Sequence, residues 1–444
     1  MAEVGSESTW WYRRRFALLI SLLTAAAAMG LSLTLPWMLG LRGWWIGSDV
    51  WWTVESARWM ADGGATTVYQ ANPWYAALPG FLAVVGPVIR LGDALGLVDG
   101  APFPLLRPSM WLLVGPVFSV LGATVVPAID GLAESLGLTV PRRRALAVGV
   151  GLFAVVPTVV FAGHPEDLLA LAGTATALTL LRGGRYERAA VLLSLAIFAQ
   201  TWAGLLLLPL LALCPRGRRL RFLLLAAVPP AAVGLAYLLS DPHAAASILG
   251  QPMPNRGQRL PWWALAPRMT VRYDGERISV VSGSAPRSVA ILASCGAGAV
   301  VARWRTRLPD VVAAAAIPGG VLAVRVLCET EMWPYYAVPA AVMLGIAALS
   351  TRASWRRLVG ALSAVALAVS PPLSYIGRSM PPWPWFCFVL GLASTGLIVA
   401  VLPARGQRAD GGDDPVRPGL TPESQTWCRP SHFVPRVTTA TEPP

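Results

Sequence analysis

RRRFALLISLLTAAAAMGLSLTLPWMLGL, residues 13–41, sets three arginines before an uncharged apolar run that extends from Phe16 to Leu41. A helix needs about 20 such residues to cross the hydrocarbon of a bilayer, so this run is long enough to span it once. It exceeds the apolar core of a secretory signal peptide, about 7–15 residues, and has no small-residue cleavage site. It therefore reads as a retained first span.

The same alternation continues along the chain. Uncharged runs recur at 74–89, 109–129, 145–163, 168–181, 189–215, 222–240, 288–302, 311–324, 332–351, 358–377 and 383–404. Arginine clusters stand between them at 13–15, 142–144, 182–188, 216–221, 303–307, 352–357 and 405–408. Composition agrees: of 444 residues only 13% are charged and 55% are hydrophobic, with 19 tryptophans. A soluble chain carries about twice that charge. These values exclude disorder, collagen and coiled coil, and favour one large membrane domain over several soluble ones.

The formal charge of +13 comes from 36 basic residues against 23 acidic ones, and every basic residue is arginine. The missing lysine reads as the codon bias of a high-GC genome. Because the arginines punctuate apolar segments, they indicate membrane topology and not nucleic-acid binding. Cysteines at 214, 295, 328, 387 and 428 have no CxxC or zinc spacing, so a disulfide framework or zinc site is not expected.

The positive-inside rule places the arginine clusters in the cytoplasm. The hairpin tips then fall outside: loops 42–73, 163–167, 241–287, 328–336 and 374–382. The expected fold class is all-α, a polytopic bundle of about 10–13 transmembrane helices over 16–404. Residues 1–15 form a cytoplasmic N-terminus and 405–444, polar and rich in Pro and Gly, a disordered cytoplasmic tail. Two intervals resist simple counting. Between 15 and 142 there are three apolar runs where an even number must cross, so either 74–89 or 109–129 fails to span, or a short extra segment crosses near 91–106. The run 189–215 has arginines at both ends but is too short to cross twice. It is expected to break near Gln200, Trp202 and Gly204, which is tolerated at membrane depth where the break lines a cavity.

This topology gathers the unusual polar residues on one side. The first outer loop, GSDVWWTVESARWMADGGATTVYQANPWYAALPG at 47–80, puts Asp49 just past the first span, beside Trp51 and Trp52. Asp49 is either a solvated acid in an aromatic belt or a general base acting on an acceptor hydroxyl. Glu55, Arg58, Trp59 and Asp62 fit an amphipathic interfacial helix. In the turn GHPED, 163–167, Pro165 suits a first helical position and Glu166 and Asp167 complement the helix dipole. The turn is thus either a capped helix start or a polar site. In the second reading His164, Glu166 and Asp167 orient an acceptor sugar or bind a divalent ion. The loop 241–287 holds six arginines against three acids, with Pro261, Trp262 and Trp263 alongside. Guanidinium forks bind phosphate; the alternative is contact with anionic headgroups. Arg325 either pairs with Glu329 one turn on or contacts a phosphate or sugar. Tyr335, Tyr336 and Arg378 read as interface anchors.

The opening pattern of acid, aromatics, a helix-like stretch with Gly63 and Gly64, Tyr69, and an aromatic–proline turn (Trp74, Tyr75, Pro79) resembles the GT-C superfamily. The nearest likeness is to the actinobacterial polyprenol-phosphate-mannose-dependent mannosyltransferases of glycosyltransferase family 87. The likeness continues through residues 163–221 and covers roughly half of the hydrophobic domain. Where that family has a Gly–Gln–x–Asn turn this chain has Gly163-His164-Pro165-Glu166-Asp167, and Gln200 stands where a lysine is common.

The resemblance implies an inverting GT-C-like transferase in the plasma membrane, with its active site on the extracytoplasmic side. Asp49 is the catalytic residue that matches. His164, Glu166, Asp167, Tyr69 and Gln200 are candidates for acceptor or substrate binding, and Arg256, Arg259, Arg268 and Arg325 for the donor phosphate. The donor is a polyprenyl-phosphate sugar, mannose or arabinose, and the acceptor an envelope glycolipid or glycan. Other partners are membrane lipids, not nucleic acid. No cofactor or resident metal is expected, with a divalent cation left open. A lipid-linked sugar flippase or transporter, or a non-catalytic membrane subunit, is the alternative.

Overall fold

The computed structural model describes residues 4–38, 47–72, 75, 77–97, 109–250, 252–253, 268–273, 276–328 and 334–350. The chain forms helices α1 (Val4–Met38), α2 (Ser48–Gly63), α3 (Ala65–Ala71), α4 (Gly80–Ala94), α5 (Trp111–Ala123), α6 (Val125–Ser135), α7 (Val140–Val150) and α8 (Pro165–Arg182). There follow α9 (Tyr186–Ala199), α10 (Leu207–Leu213), α11 (Arg219–Ser240), α12 (Pro242–Ala245), α13 (Ser284–Trp304), α14 (Ile317–Leu327) and α15 (Val338–Ser350). Among the described residues four helical stretches are long and apolar enough to cross a membrane: Trp11–Met38, Trp111–Ser135, Val140–Ala162 and Arg216–Ser240. This is the expected helical membrane bundle at its coarsest level.

Apolar side chains face outward as well as inward. Leu19, Leu22 and Leu23 on α1, and Leu220, Leu224, Val228 and Leu235 on α11, are exposed. Such contiguous apolar surface is unstable in water and natural against lipid. Helix α8 is instead buried on most of its faces, with Leu168, Leu171, Ala175 and Leu178 buried on one stripe and Ala170, Ala172 and Ala177 buried beside it. A helix of that kind belongs in the interior, and α8 packs against α5, α6 and α9.

One end of the bundle is tied by arginine. Arg14 of α1 pairs with Asp130 and Glu134 of α6. Arg143 of α7 meets the same acids at 2.7 Å and 3.1 Å. Arg182, at the foot of α8, donates to the Ser135 carbonyl at 3.0 Å and pairs with Asp310 at 2.9 Å. Arg218 and Arg221 meet Glu187 at 3.0 Å and 3.3 Å, and Arg305 donates to the Cys214 carbonyl at 2.9 Å. Five arginine clusters of the sequence therefore converge at one end. The 18 residues of α8 carry the chain about 27 Å from Arg182 to Pro165 at the other end.

Several expectations are resolved here. Of the three runs between 15 and 142, α1 and α5–α6 reach spanning length. The helix from the run 74–89, α4, has 15 residues and bears Arg90, which pairs with Asp62. α2 is the expected amphipathic helix, its Arg58 bridging Glu55 and Asp93. The run 189–215 breaks at Gln200, where the backbone turns extended (φ −150°, ψ 125°) before a 3-10 turn, Thr201–Leu206.

The helical bundle also carries one small sheet that the sequence reading did not anticipate. Within 241–287 the chain forms an antiparallel sheet of β1 (Pro252–Met253), β2 (Arg268–Tyr273) and β3 (Glu276–Ser282), in the order β1-β3-β2. The reason is visible in RMTVRY, which alternates with period two, and in the β-branched residues Ile278, Val280 and Val281 of ERISVVS. Tyr273 at the end of β2 pairs with Glu276 at the start of β3. The proposed tail 405–444, the runs 358–377 and 383–404 and the loop 374–382 lie outside the described residues.

Candidate active site

The site is built where the start of α2 meets the turn before α8. After α7 the backbone runs through two π-helical turns, Gly151–Val155 and Pro157–Ala162, and stops at Gly163 in the left-handed region (φ +76°). The amides of Gly163 and His164 both donate to the Thr158 carbonyl, at 2.9 Å and 3.1 Å. Two glycines let the segments touch. A Cβ on Gly47 would lie 2.7 Å from the Ala162 carbonyl carbon, and one on Gly163 would lie 2.9 Å from the Val50 amide nitrogen. This approach sets Asp49, in the first turn of α2, beside His164, the residue preceding α8.

His164 is held from both ring edges. Its Nε2 lies 2.6 Å from Asp49 Oδ2 and its Nδ1 2.5 Å from Glu166 Oε1. The ring stacks on Tyr335 at 4.0 Å. Burial opposes charge on the ring, but the carboxylates of Glu166 and Asp49 outweigh it and raise its pKa well above the ordinary value. The shift favours the protonated ring, in which each N–H faces a carboxylate. Asp167 accepts from Trp202 Nε1 at 2.7 Å. Glu166 and Asp167 are buried, whereas the Asp49 side chain keeps 30% exposure, the most accessible of the three carboxylates.

A cavity of about 610 Å³ opens beside these groups, lined by His164, Glu166, Gln200, Arg287, Arg325 and Tyr336. Thr53, one turn beyond Asp49, also lines it and donates to the Asp49 carbonyl at 2.9 Å. The guanidinium of Arg325 lies 4.8 Å over the Tyr336 ring and 5.9 Å from that of Trp202. Its place in the last turn of α14 suits a cation by the helix dipole. The other wall is apolar. Phe81, Leu205, Leu208 and Ile291 line it, and the last two are exposed at the bundle surface. One cavity therefore joins a pole of acids and guanidiniums to a hydrocarbon-like flank.

Of the residues expected from sequence, Asp49, His164, Glu166, Asp167, Gln200 and Arg325 come together here. Tyr69 does not. It is buried, donates its hydroxyl to the Ala77 carbonyl at 3.0 Å and lines a separate cavity with His243 and Arg277. Arg268 begins β2, with its backbone paired to Val281. Arg256, Arg259, Trp262, Trp263 and Glu329 lie outside the described residues.

Sequence reasoning assigned no site role to Arg287, Tyr335 and Tyr336, and named Trp202 only at the break after α9. Arg287 carried a usable signal: it lies in the first turn of α13, where a cation opposes the dipole and so calls for another purpose. The two tyrosines were read as interface anchors, but Tyr335 packs on His164 and Tyr336 under Arg325. No protein-family model matches the chain, and comparison with curated proteins and with solved structures likewise finds no match.

Proposed function

We propose that this chain is a membrane glycosyltransferase of the GT-C type. It moves a sugar, mannose or arabinose, from a polyprenyl-phosphate donor to a cell-envelope glycolipid or polysaccharide on the extracytoplasmic face of the plasma membrane. The observation that supports this reading is the makeup of the cavity. His164 and Glu166 line one side, with the accessible Asp49 carboxylate held on the other edge of the His164 ring; two guanidiniums line another side, and the apolar flank is suited to a polyprenyl tail.

The chemistry follows from those groups. Asp49 takes the proton of an acceptor hydroxyl as its oxygen attacks the anomeric carbon, and the carbon–oxygen bond to phosphate breaks with inversion. The leaving phosphate gains one negative charge. Arg287 and Arg325 are placed to stabilise that charge, so no general acid is required on this side. His164 keeps the carboxylate oriented, and Gln200 offers an amide to sugar hydroxyls.

Reconstituted protein given a radiolabelled polyprenyl-phosphate sugar and a membrane extract should produce labelled glycolipid or glycan. Asp49→Asn should lower the rate by about 10²- to 10⁴-fold with the protein still folded. Transport of the donor across vesicles without any transfer would replace this reading with that of a flippase.

A further inference from the structure

Beneath the Asp49–His164 pair the polar groups do not balance. Glu166 and Asp167 are consecutive in the first turn of α8, with only 7% and 1% exposure. Glu166 Oε1 meets His164 and Asp167 Oδ1 meets Trp202. Their second oxygens, Glu166 Oε2 and Asp167 Oδ2, are buried without a hydrogen-bond partner among the described residues. Buried carboxylate oxygens without partners are costly, and their presence in a folded site calls for a ligand.

The geometry names the ligand. One donor atom each from His164, Glu166 and Asp167 lies within 4.8 Å of the others, and Nδ1 of His164 is 3.8 Å from Asp167 Oδ2. With Asp49 on the far ring edge, three carboxylates converge on one imidazole. We infer that His164 Nδ1, Glu166 and Asp167 form a binding site for a first-row divalent cation of the Mn²⁺ or Zn²⁺ class. One imidazole with two carboxylates suits such borderline ions better than the all-oxygen sets of Ca²⁺. Ligation through Nδ1, with release of the proton that this nitrogen otherwise shares with Glu166, leaves Nε2–H to donate to Asp49, an outer carboxylate that fixes the tautomer of a metal-binding histidine. Three protein ligands also leave coordination positions for water or substrate on the side of Glu166 that lines the cavity. The inference stands on these atoms alone and holds whether or not the chain transfers sugar.

The test uses the full chain in nanodiscs, stripped with chelator and titrated with Mn²⁺ while the free-ion paramagnetic resonance signal is followed. One saturable site per chain is expected, displaced by Zn²⁺. Glu166→Gln and Asp167→Asn should each weaken it at least tenfold. Glu187→Gln, at an acid paired with Arg218 at the other end of the bundle, should leave it unchanged. Absence of a saturable site, or wild-type affinity in Glu166→Gln, overturns the inference. A second measurement needs no variant: zinc-edge X-ray absorption of the loaded wild type. The chain has three histidines, and the expected signature is a single imidazole in a nitrogen and oxygen shell at about 2.0–2.2 Å. No imidazole, two imidazoles or a sulfur shell would overturn it.

Discussion

The Asp49 carboxylate and the His164 ring, 2.6 Å apart, are aligned by the backbone contact between Gly47 and the Ala162–Gly163 peptide. The pair thus depends on two residues that have no side chain. Gly163→Ala would force an L residue into the left-handed region and drive its Cβ against Val50. A stability loss of about 1–2 kcal/mol is expected from the backbone conformation. Transfer should fall nearly as far as in His164→Ala, because the pair is pushed apart. A Gly163→Ala enzyme with wild-type turnover would show that the contact does not position the pair.

His164 makes stability depend on pH. Its folded-state pKa is raised, so the fold favours the protonated ring. That contribution is complete below the ordinary value of 6.5 and is lost as pH climbs through the raised one. In chelator, the melting temperature of the wild type should decline on the alkaline side of 6.5. His164→Gln should lack this decline. Parallel curves for the two proteins would remove the charged imidazole from the account.

At the arginine end, Asp130 is shared by Arg14 and Arg143. Asp130→Asn leaves the two buried guanidiniums with Glu134 as the one carboxylate they share, and breaking a buried ion pair in this way costs up to about 3–5 kcal/mol. Unfolding in mixed micelles should register that loss with the ligand cavity untouched. A change below about 1 kcal/mol would mean that water already reaches these charges.

Arg287 provides the clearest test of the phosphate reading, since it sits at the cavity wall in the first turn of a helix, where the dipole disfavours a cation. Arg287→Gln should raise the donor KM about tenfold or more, the value of one hydrogen bond to a charged group. Its turnover at saturation should change less. An unchanged KM with reduced turnover would assign the residue another task.

Much of this was legible in the sequence because membrane chemistry leaves coarse marks. Apolar runs and arginine clusters marked the helices and the end at which Arg14, Arg143, Arg182 and Arg305 gather. Pro165 with two following acids announced the start of α8, and Gln200 marked the break after α9. The sheet escaped notice because its alternating residues lie inside a loop defined only by its arginine content. The separation of Tyr69 from the His164 cluster was not legible, because a loop aromatic looks the same in sequence whether it faces one cavity or another, and here it packs on Tyr75 and Tyr237. The pairing of Asp49 with His164 spans 115 positions and rests on glycine contacts that no local pattern encodes.

Among the described residues, helix α11 fully buries only Phe222, Ala226 and Pro230. Its anchorage is therefore largely a property of the surrounding lipid, which solvates the remaining faces. Thinner or harsher detergents should loosen this helix before any other long one, so its amide exchange serves as an internal gauge of how native a given preparation is.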